Sequence, residues 1–418
     1  MNYFNYVNNR LSCENVSVAS IAETVGTPFY LYSHKTLMRH FEVFDQAFSP
    51  IPHRICFSAK ANSNVAILRA LVKAGAGVDI VSGGELFRAL QAGCPPDRIV
   101  YSGVGKRDDE IVFALEKDIL MFNIESPQEL AVINDMAGRL GLRARISIRV
   151  NPDVNPHTHP HISTGLRENK FGIDIEQSLE YYRQARELSN IDIIGVACHI
   201  GSQITDIAPF VDTLDRLKKL IGLLRQQGID VRYLDLGGGL GITYNKEAPP
   251  HPTEYASALM AEATNLGVTL ILEPGRVIVG NAGVLVTKVL YIKEGGDKHF
   301  IVVDAGMNDL ARPSLYGSYH EIQPVIRQGT GRLRGDVVGP ICESTDFFAK
   351  NRDLDAFKRG DLAAVMSAGA YGFSMSSNYN SRPRVAEVMV IDDEFFIIRN
   401  RESYDDLIRG EAVPESLR

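Results

Sequence analysis

The chain has 418 residues, 45% of them hydrophobic and 23% charged, ordinary globular values that allow two or three domains. Net charge is -7, from 44 Lys plus Arg against 51 Asp plus Glu, with no basic stripe interleaved with aromatics; this argues against nucleic acid and for a small-molecule partner. The start, Met1-Asn2-Tyr3-Phe4-Asn5, lacks a positive region before an apolar stretch, and no run approaches the roughly 18 apolar residues of a membrane span, so a soluble cytoplasmic protein without a membrane partner is expected.

Near the N-terminus Pro28-Phe29-Tyr30-Leu31-Tyr32 reads as a strand. Short apolar runs then alternate with amphipathic helical stretches: Arg54–Ala59, Gly77–Ser82, Ile99–Gly103, Leu120–Glu125, Arg145–Asn151, Ile193–Gly201, Tyr233–Gly239 and Thr269–Gly275. Ser126-Pro127-Gln128-Glu129 supplies an N-cap, a proline at the first helical position and the Glu of a capping box, while Gly75 and Gly93 read as helix stops. About eight βα units without a dinucleotide fingerprint predict an α/β protein built on a (β/α)8 TIM-type barrel over 36–282. From about Ala282 the pattern changes to strand-like runs, Val284–Lys293, His299–Gly306, Asp336–Cys342, Leu362–Tyr371 and Val385–Arg399. These predict a second, mostly antiparallel β domain formed by 1–35 together with 283–418.

Chemistry in such barrels sits where the strands end, so the strand-closing residues form one set. They are Lys60; Asp79 and Ser82; Arg149; His199 to Ser202; Gly237, Gly238 and Gly239; and Glu273, Pro274, Gly275 and Arg276. A free lysine, with a pKa of about 10.4, attacks a carbonyl only where burial or a cationic neighbour favours its neutral form. The loops after strands seven and eight are the usual phosphate site of this fold, where glycine N–H groups and the Ser202 hydroxyl can meet an anion. Lysine, phosphate cradle and the Glu273 carboxylate together fit pyridoxal 5'-phosphate, with Glu273 expected anionic against the ring nitrogen and His199 flat against the ring. Five cysteines, Cys13, Cys56, Cys94, Cys198 and Cys342, show no metal-ligand spacing and suit reduced thiols. The tract His157-Thr158-His159-Pro160-His161 lacks an acidic or cysteine partner nearby and reads as a surface loop, so no metal is expected.

Phe57-Ser58-Ala59-Lys60-Ala61-Asn62, Gly77-Val78-Asp79, Asn169-Lys170-Phe171-Gly172, His199-Ile200-Gly201-Ser202-Gln203, the triple glycine, Glu273-Pro274-Gly275-Arg276, Cys342-Glu343-Ser344 and Gly369-Ala370-Tyr371 occur in the order found in a known family. Over essentially its whole length the sequence resembles the fold-type III pyridoxal-phosphate decarboxylases. The resemblance implies that Lys60 holds the cofactor covalently, that His199 stacks on it, that Ser202, the glycines and Tyr371 serve its phosphate, and that Glu273 meets its ring nitrogen. It also implies that Cys342 delivers a proton to the α-carbon from the second subunit of a homodimer with shared active sites. Arg276, Arg312, Tyr316, Glu343 and Tyr371 would hold the distal end of the amino acid. Two arginines suit a distal carboxylate and Glu343 an ammonium, which fits meso-2,6-diaminopimelate, decarboxylated to L-lysine, and disfavours ornithine. Other decarboxylases of the fold, acting on ornithine, arginine, carboxynorspermidine or carrier-linked glutamate, and a non-catalytic cofactor carrier are the alternatives.

Overall fold

The computed structural model describes residues 2–155, 170–296, 298–329 and 331–418. The chain divides into two compact units, one of Met38–Ile278 and one of Met1–Leu37 with Val279–Arg418.

The first unit is a closed barrel of eight parallel strands, His53–Ser58, Gly77–Ile80, Ile99–Tyr101, Met121–Ile124, Ala144–Asn151, Ile191–Ala197, Tyr233–Asp235 and Thr269–Leu272. Closure comes from pairing of the eighth strand on the first, with Leu270 opposite His53 and Leu272 opposite Ile55. A helix follows each of the first seven strands: Val65–Lys73, Gly83–Gln91, Asp108–Glu116, Pro127–Leu140, Ile175–Arg186, Ala208–Gln226 and Pro252–Ala263. The expected punctuation is present, for Gly75 and Gly93 take φ of +107° and +79° just past their helices. Ser126 caps its helix by accepting the Glu129 N–H, but Glu129 returns one residue further back and accepts from the Glu125 N–H at 2.7 Å.

Strands six to eight stop three or four residues before their predicted ends. There the main chain leaves the ladder for side-chain partners, as when Gly237 N–H donates to Asp235 Oδ1 at 2.8 Å. Along each strand, residues two apart share a face. The apolar cluster Cys56, Val100, Met121, Ile271 and half-buried Tyr233 is therefore succeeded, two positions on, by Ser58, Ser102, Asn123, Glu273 and Asp235, all buried. The barrel interior thus changes from apolar to polar as it approaches the rim.

In the second unit Phe29–Ser33 is a strand between two others, antiparallel to Gly283–Gly295 through Phe29 and Val286, and parallel to Ala386–Ile391 through Phe29 and Ala386. Its apolar side chains explain the placement, since Phe29 and Leu31 are buried with Val284, Val286, Ala386 and Val388. The remaining pairings of this sheet are mostly antiparallel. The run Val385–Arg399, read as one strand, is two, Ala386–Ile391 and Glu394–Arg399, reversed at Asp392 with φ of +55°. Phe347–Asp355 and a three-stranded N-terminal sheet from Phe4 to Ser17 add strands the pattern did not announce. Among the described residues, no helix is long and apolar enough to cross a membrane.

Candidate active site

Lys60 lies just past the first strand, in the 3-10 turn Ala59–Ala61, and not on the ladder itself. Its ammonium forms an ion pair with the carboxylate of Asp79, a fully buried residue, where burial or a cationic neighbour was the condition expected for a neutral amine. Ser58 Oγ stands 2.9 Å from both Asp79 Oδ2 and the Glu273 carbonyl, so the first strand also fixes the height of its two flanking acids. Ser82 does not join this set, because its hydroxyl accepts the Glu85 N–H and caps the next helix. Glu85 folds back to accept the Val81 N–H at 2.8 Å, and burial pushes its carboxyl up to about 7.

Glu273 receives the Ser102 hydroxyl at 3.4 Å and a side-chain hydrogen bond shared with Asp235. Burial first, and then the neighbouring Asp235 and Asp79, hold it well above the usual carboxylate range, which corrects the expectation of a plain anion. Burial likewise pushes Asp235 up to about 6, although Glu273, Asn123 and the Gly237 N–H all favour its charged form. Asn123 connects the group, donating to Asp235 Oδ2 at 2.9 Å and Ser102 Oγ at 3.0 Å while accepting from Ser147. Asp235, Asn123, Ser58 and Ser102 were absent from the predicted site, yet their signal was readable as polar residues two positions beyond apolar core residues on neighbouring strands.

Partly buried His199 accepts the Gly238 N–H at Nδ1, 3.1 Å away, which assigns its proton to Nε2. Burial, then the charges of Arg149 and Lys60, hold it neutral, well below its ordinary value. Arg149 is buried, donates to Glu125 Oε1 at 2.8 Å and lies 4.9 Å over the Phe171 ring. The Glu125 carboxylate is completed by the N–H groups of Gly103 and Gly172, at 3.0 and 2.9 Å.

The triple glycine is required by close approach. A Cβ on Gly238 would sit 2.2 Å from the Glu273 carbonyl oxygen, and one on Gly239, whose φ is +121°, 2.7 Å from the Gly201 carbonyl oxygen. The N–H groups of Gly237 and Gly238 face Asp235 and His199, so these two do not point outward to an anion as expected. Donors remain beside them: Arg276 is buried and reaches Ser202 Oγ at 3.0 Å and Tyr244 Oη at 2.8 Å. Pro274 accepts the Ser58 N–H through its carbonyl, and a Cβ on Gly275 would meet that of Ala61 at 2.9 Å.

Lys60, Ser102, Asn123, Arg149, Phe171, His199 and Glu273 line a cavity of about 360 Å³ within the barrel unit. This volume lies in the usual range for small-ligand sites. The donor set fits pyridoxal phosphate: an amine for its aldehyde, a neutral imidazole beside its ring, and a proton-holding carboxyl for its basic nitrogen.

The other predicted residues belong to the β-rich unit. Arg312 is buried and donates to His320 Nε2 at 2.9 Å, while His320 Nδ1–H donates to the Met366 carbonyl at 2.8 Å. Tyr316 ends the short helix Arg312–Tyr316, half-buried. Cys342 and Glu343 are exposed; the Cys342 N–H donates to Asn380 Oδ1, and Glu343 accepts from Thr345 Oγ1 at 2.6 Å. Tyr371 is half-buried with φ of +54°. The histidine tract at 157–161 falls outside the described residues, among which no group of three or more His, Cys, Asp or Glu could hold a metal.

Residues 34–280 match the family model described as pyridoxal-dependent decarboxylase, pyridoxal binding domain. The chain is 51% identical to a protein of Vibrio cholerae named diaminopimelate decarboxylase, across 99% of both chains. It is 50% identical to one of the same name from Aquifex aeolicus, across 97% of this chain and 96% of the relative. Among solved structures, diaminopimelate decarboxylase from Helicobacter pylori complexed with L-lysine superposes with a TM-score of 0.91 at 43% identity, covering 94% of this chain and 98% of that one.

Proposed function

We propose roles for the rim residues from the premise that this chain belongs to the pyridoxal-dependent decarboxylases and, within them, to the diaminopimelate decarboxylases. The protein is a carboxy-lyase that uses pyridoxal 5'-phosphate to convert meso-2,6-diaminopimelate to L-lysine and carbon dioxide. The observation that carries this is likeness over nearly the full length of both chains, which includes the β-rich part as well as the barrel. When bound, the cofactor supplies an iminium linkage and an aromatic sink for the electrons released with carbon dioxide.

In our reading Lys60 is the attachment point, and Asp79 and Ser58 orient its amine. His199, held neutral, packs against the ring without adding a charge. Glu273 holds the proton that the ring nitrogen needs, and a cationic ring in turn favours the carboxylate. Ser202, Gly239, Gly275, Arg276 and Tyr371 make up the phosphate side, Gly237 and Gly238 shape the turn beside it with their N–H groups on Asp235 and His199, and Arg149 supports the rim through Glu125. Arg312 and Arg276 would bind the distal carboxylate, Glu343 its ammonium, with Tyr316 and Tyr371 beside them.

The β-rich part, 1–35 with 283–418, is read as completing the site of a second subunit in a homodimer, where Cys342 returns a proton to the α-carbon. Exposure of Cys342 and Glu343 supports this, because groups that serve a partner's cavity must face outward. Five cysteines without a disulfide support a cytoplasmic setting. The test is turnover of diaminopimelate and ornithine side by side: release of carbon dioxide with L-lysine from the first is expected. Rapid use of ornithine with no lysine formed would overturn it.

A further inference from the structure

We propose that Asp346 is a positioning residue that locks the loop bearing Cys342 and Glu343 to the segment bearing Arg312 and Tyr316. The inference rests on the reading above that these four residues handle proton and substrate. Both oxygens of the Asp346 carboxylate are held by main chain: Oδ2 accepts the Ile341 N–H at 2.6 Å, and Oδ1 the Met307 N–H at 2.7 Å. Ile341 immediately precedes Cys342. Met307 sits in the turn where the N–H groups of Asp309 and Leu310 return to the Gly306 carbonyl, at 2.9 and 3.1 Å, just ahead of Arg312.

The carboxylate is buried, where hydrogen bonds to a charged acceptor are short and strong and their loss is costly. Close packing adds to this. A Cβ on Gly339 would stand 2.5 Å from Asp346 Oδ2, and one on Gly306 would stand 2.9 Å from Ile341 Cγ1. Within the loop the Glu343 N–H donates to the Ile341 carbonyl and the Asp346 N–H to the Glu343 carbonyl, at 2.8 and 3.1 Å. A second tie joins the same two segments, for Ser314 Oγ on the Arg312–Tyr316 helix donates to the Thr345 carbonyl at 2.5 Å. One carboxylate therefore fixes the loop bearing Cys342 and Glu343 relative to the segment bearing Arg312 and Tyr316.

The experiment uses the full-length holoenzyme. Asp346→Asn replaces one acceptor with an NH2 that faces an N–H donor, and kcat/KM for diaminopimelate is expected to fall about 10- to 100-fold, chiefly in kcat. The same variant should react several-fold faster at Cys342 with a chromogenic disulfide reagent, a readout made specific because the other four cysteines are buried. Gly339→Ala, which keeps the carboxylate but displaces it, should shift both readouts the same way, and it decides alone if Asp346→Asn does not fold. Kinetic constants within twofold of the parent with an unchanged thiol rate would overturn the proposal. A Cys342→Ala enzyme that retains full turnover would instead overturn the role of Cys342, leaving the thiol-rate comparison of the loop to stand by itself.

Discussion

We read Lys60, half-buried and paired with Asp79, as the attachment point of the cofactor. Replacing it with Ala should abolish both turnover and the visible absorption of bound cofactor; a variant that kept the band and the activity would refute the attachment. Asp235 offers a test in the ligand-free protein. Its carboxyl is pushed from an ordinary 3.8 up to about 6 by burial, so the folded chain holds a proton that the unfolded chain releases. Stability from this group is thus fully present below about pH 4 and declines as pH rises towards 6. Melting curves from pH 4 to 6 should show the parent losing ground relative to Asp235→Asn; parallel curves would mean that no such proton is held.

At the scale of elements, the glycine turn after the seventh strand is a tight constraint. Gly238→Ala should destabilise the protein by about 1–3 kcal/mol through overpacking against the Glu273 carbonyl, and it should weaken cofactor binding, measured by fluorescence titration of the apoprotein. Unchanged stability and affinity would show that the turn can give way. The barrel was legible because its strands are short, apolar and punctuated by caps such as Ser126 and stops such as Gly93. Lys60, His199, Glu273 and the glycines could be collected from strand ends alone. The polar layer beneath them was harder to see, because Ser58, Asn123 and Asp235 are ordinary residues until strand register shows that they point inward together. Protonation was not legible at all: Glu273 reads as an anion until Asp79 and Asp235 are found beside it. Cys342 could be reached only through resemblance, since an exposed thiol on a loop carries no pattern of its own.

For the whole molecule, the decisive prediction concerns sharing of sites between copies. Lys60→Ala and Cys342→Ala proteins are each expected to be inactive or nearly so. Mixed and allowed to exchange subunits, they should regain about a quarter of parental activity, because a random half of the dimers would be hybrids and each would hold one site with both residues intact. Absence of recovery, with subunit exchange confirmed by mass, would exclude a shared site.

The strand Phe29–Ser33 is among the first segments to leave the ribosome, yet its hydrogen-bonding neighbours begin at Gly283 and Ala386. During synthesis its apolar face must therefore stay unsatisfied until nearly the entire chain has emerged, while the intervening βα repeats can already settle through contacts between neighbours. Such long-range closure slows folding and exposes an adhesive edge in the meantime. Nascent chains stalled before residue 386 should consequently be protected from proteolysis across the barrel but open to cleavage near Phe29, and holdase chaperones would find their binding segment there.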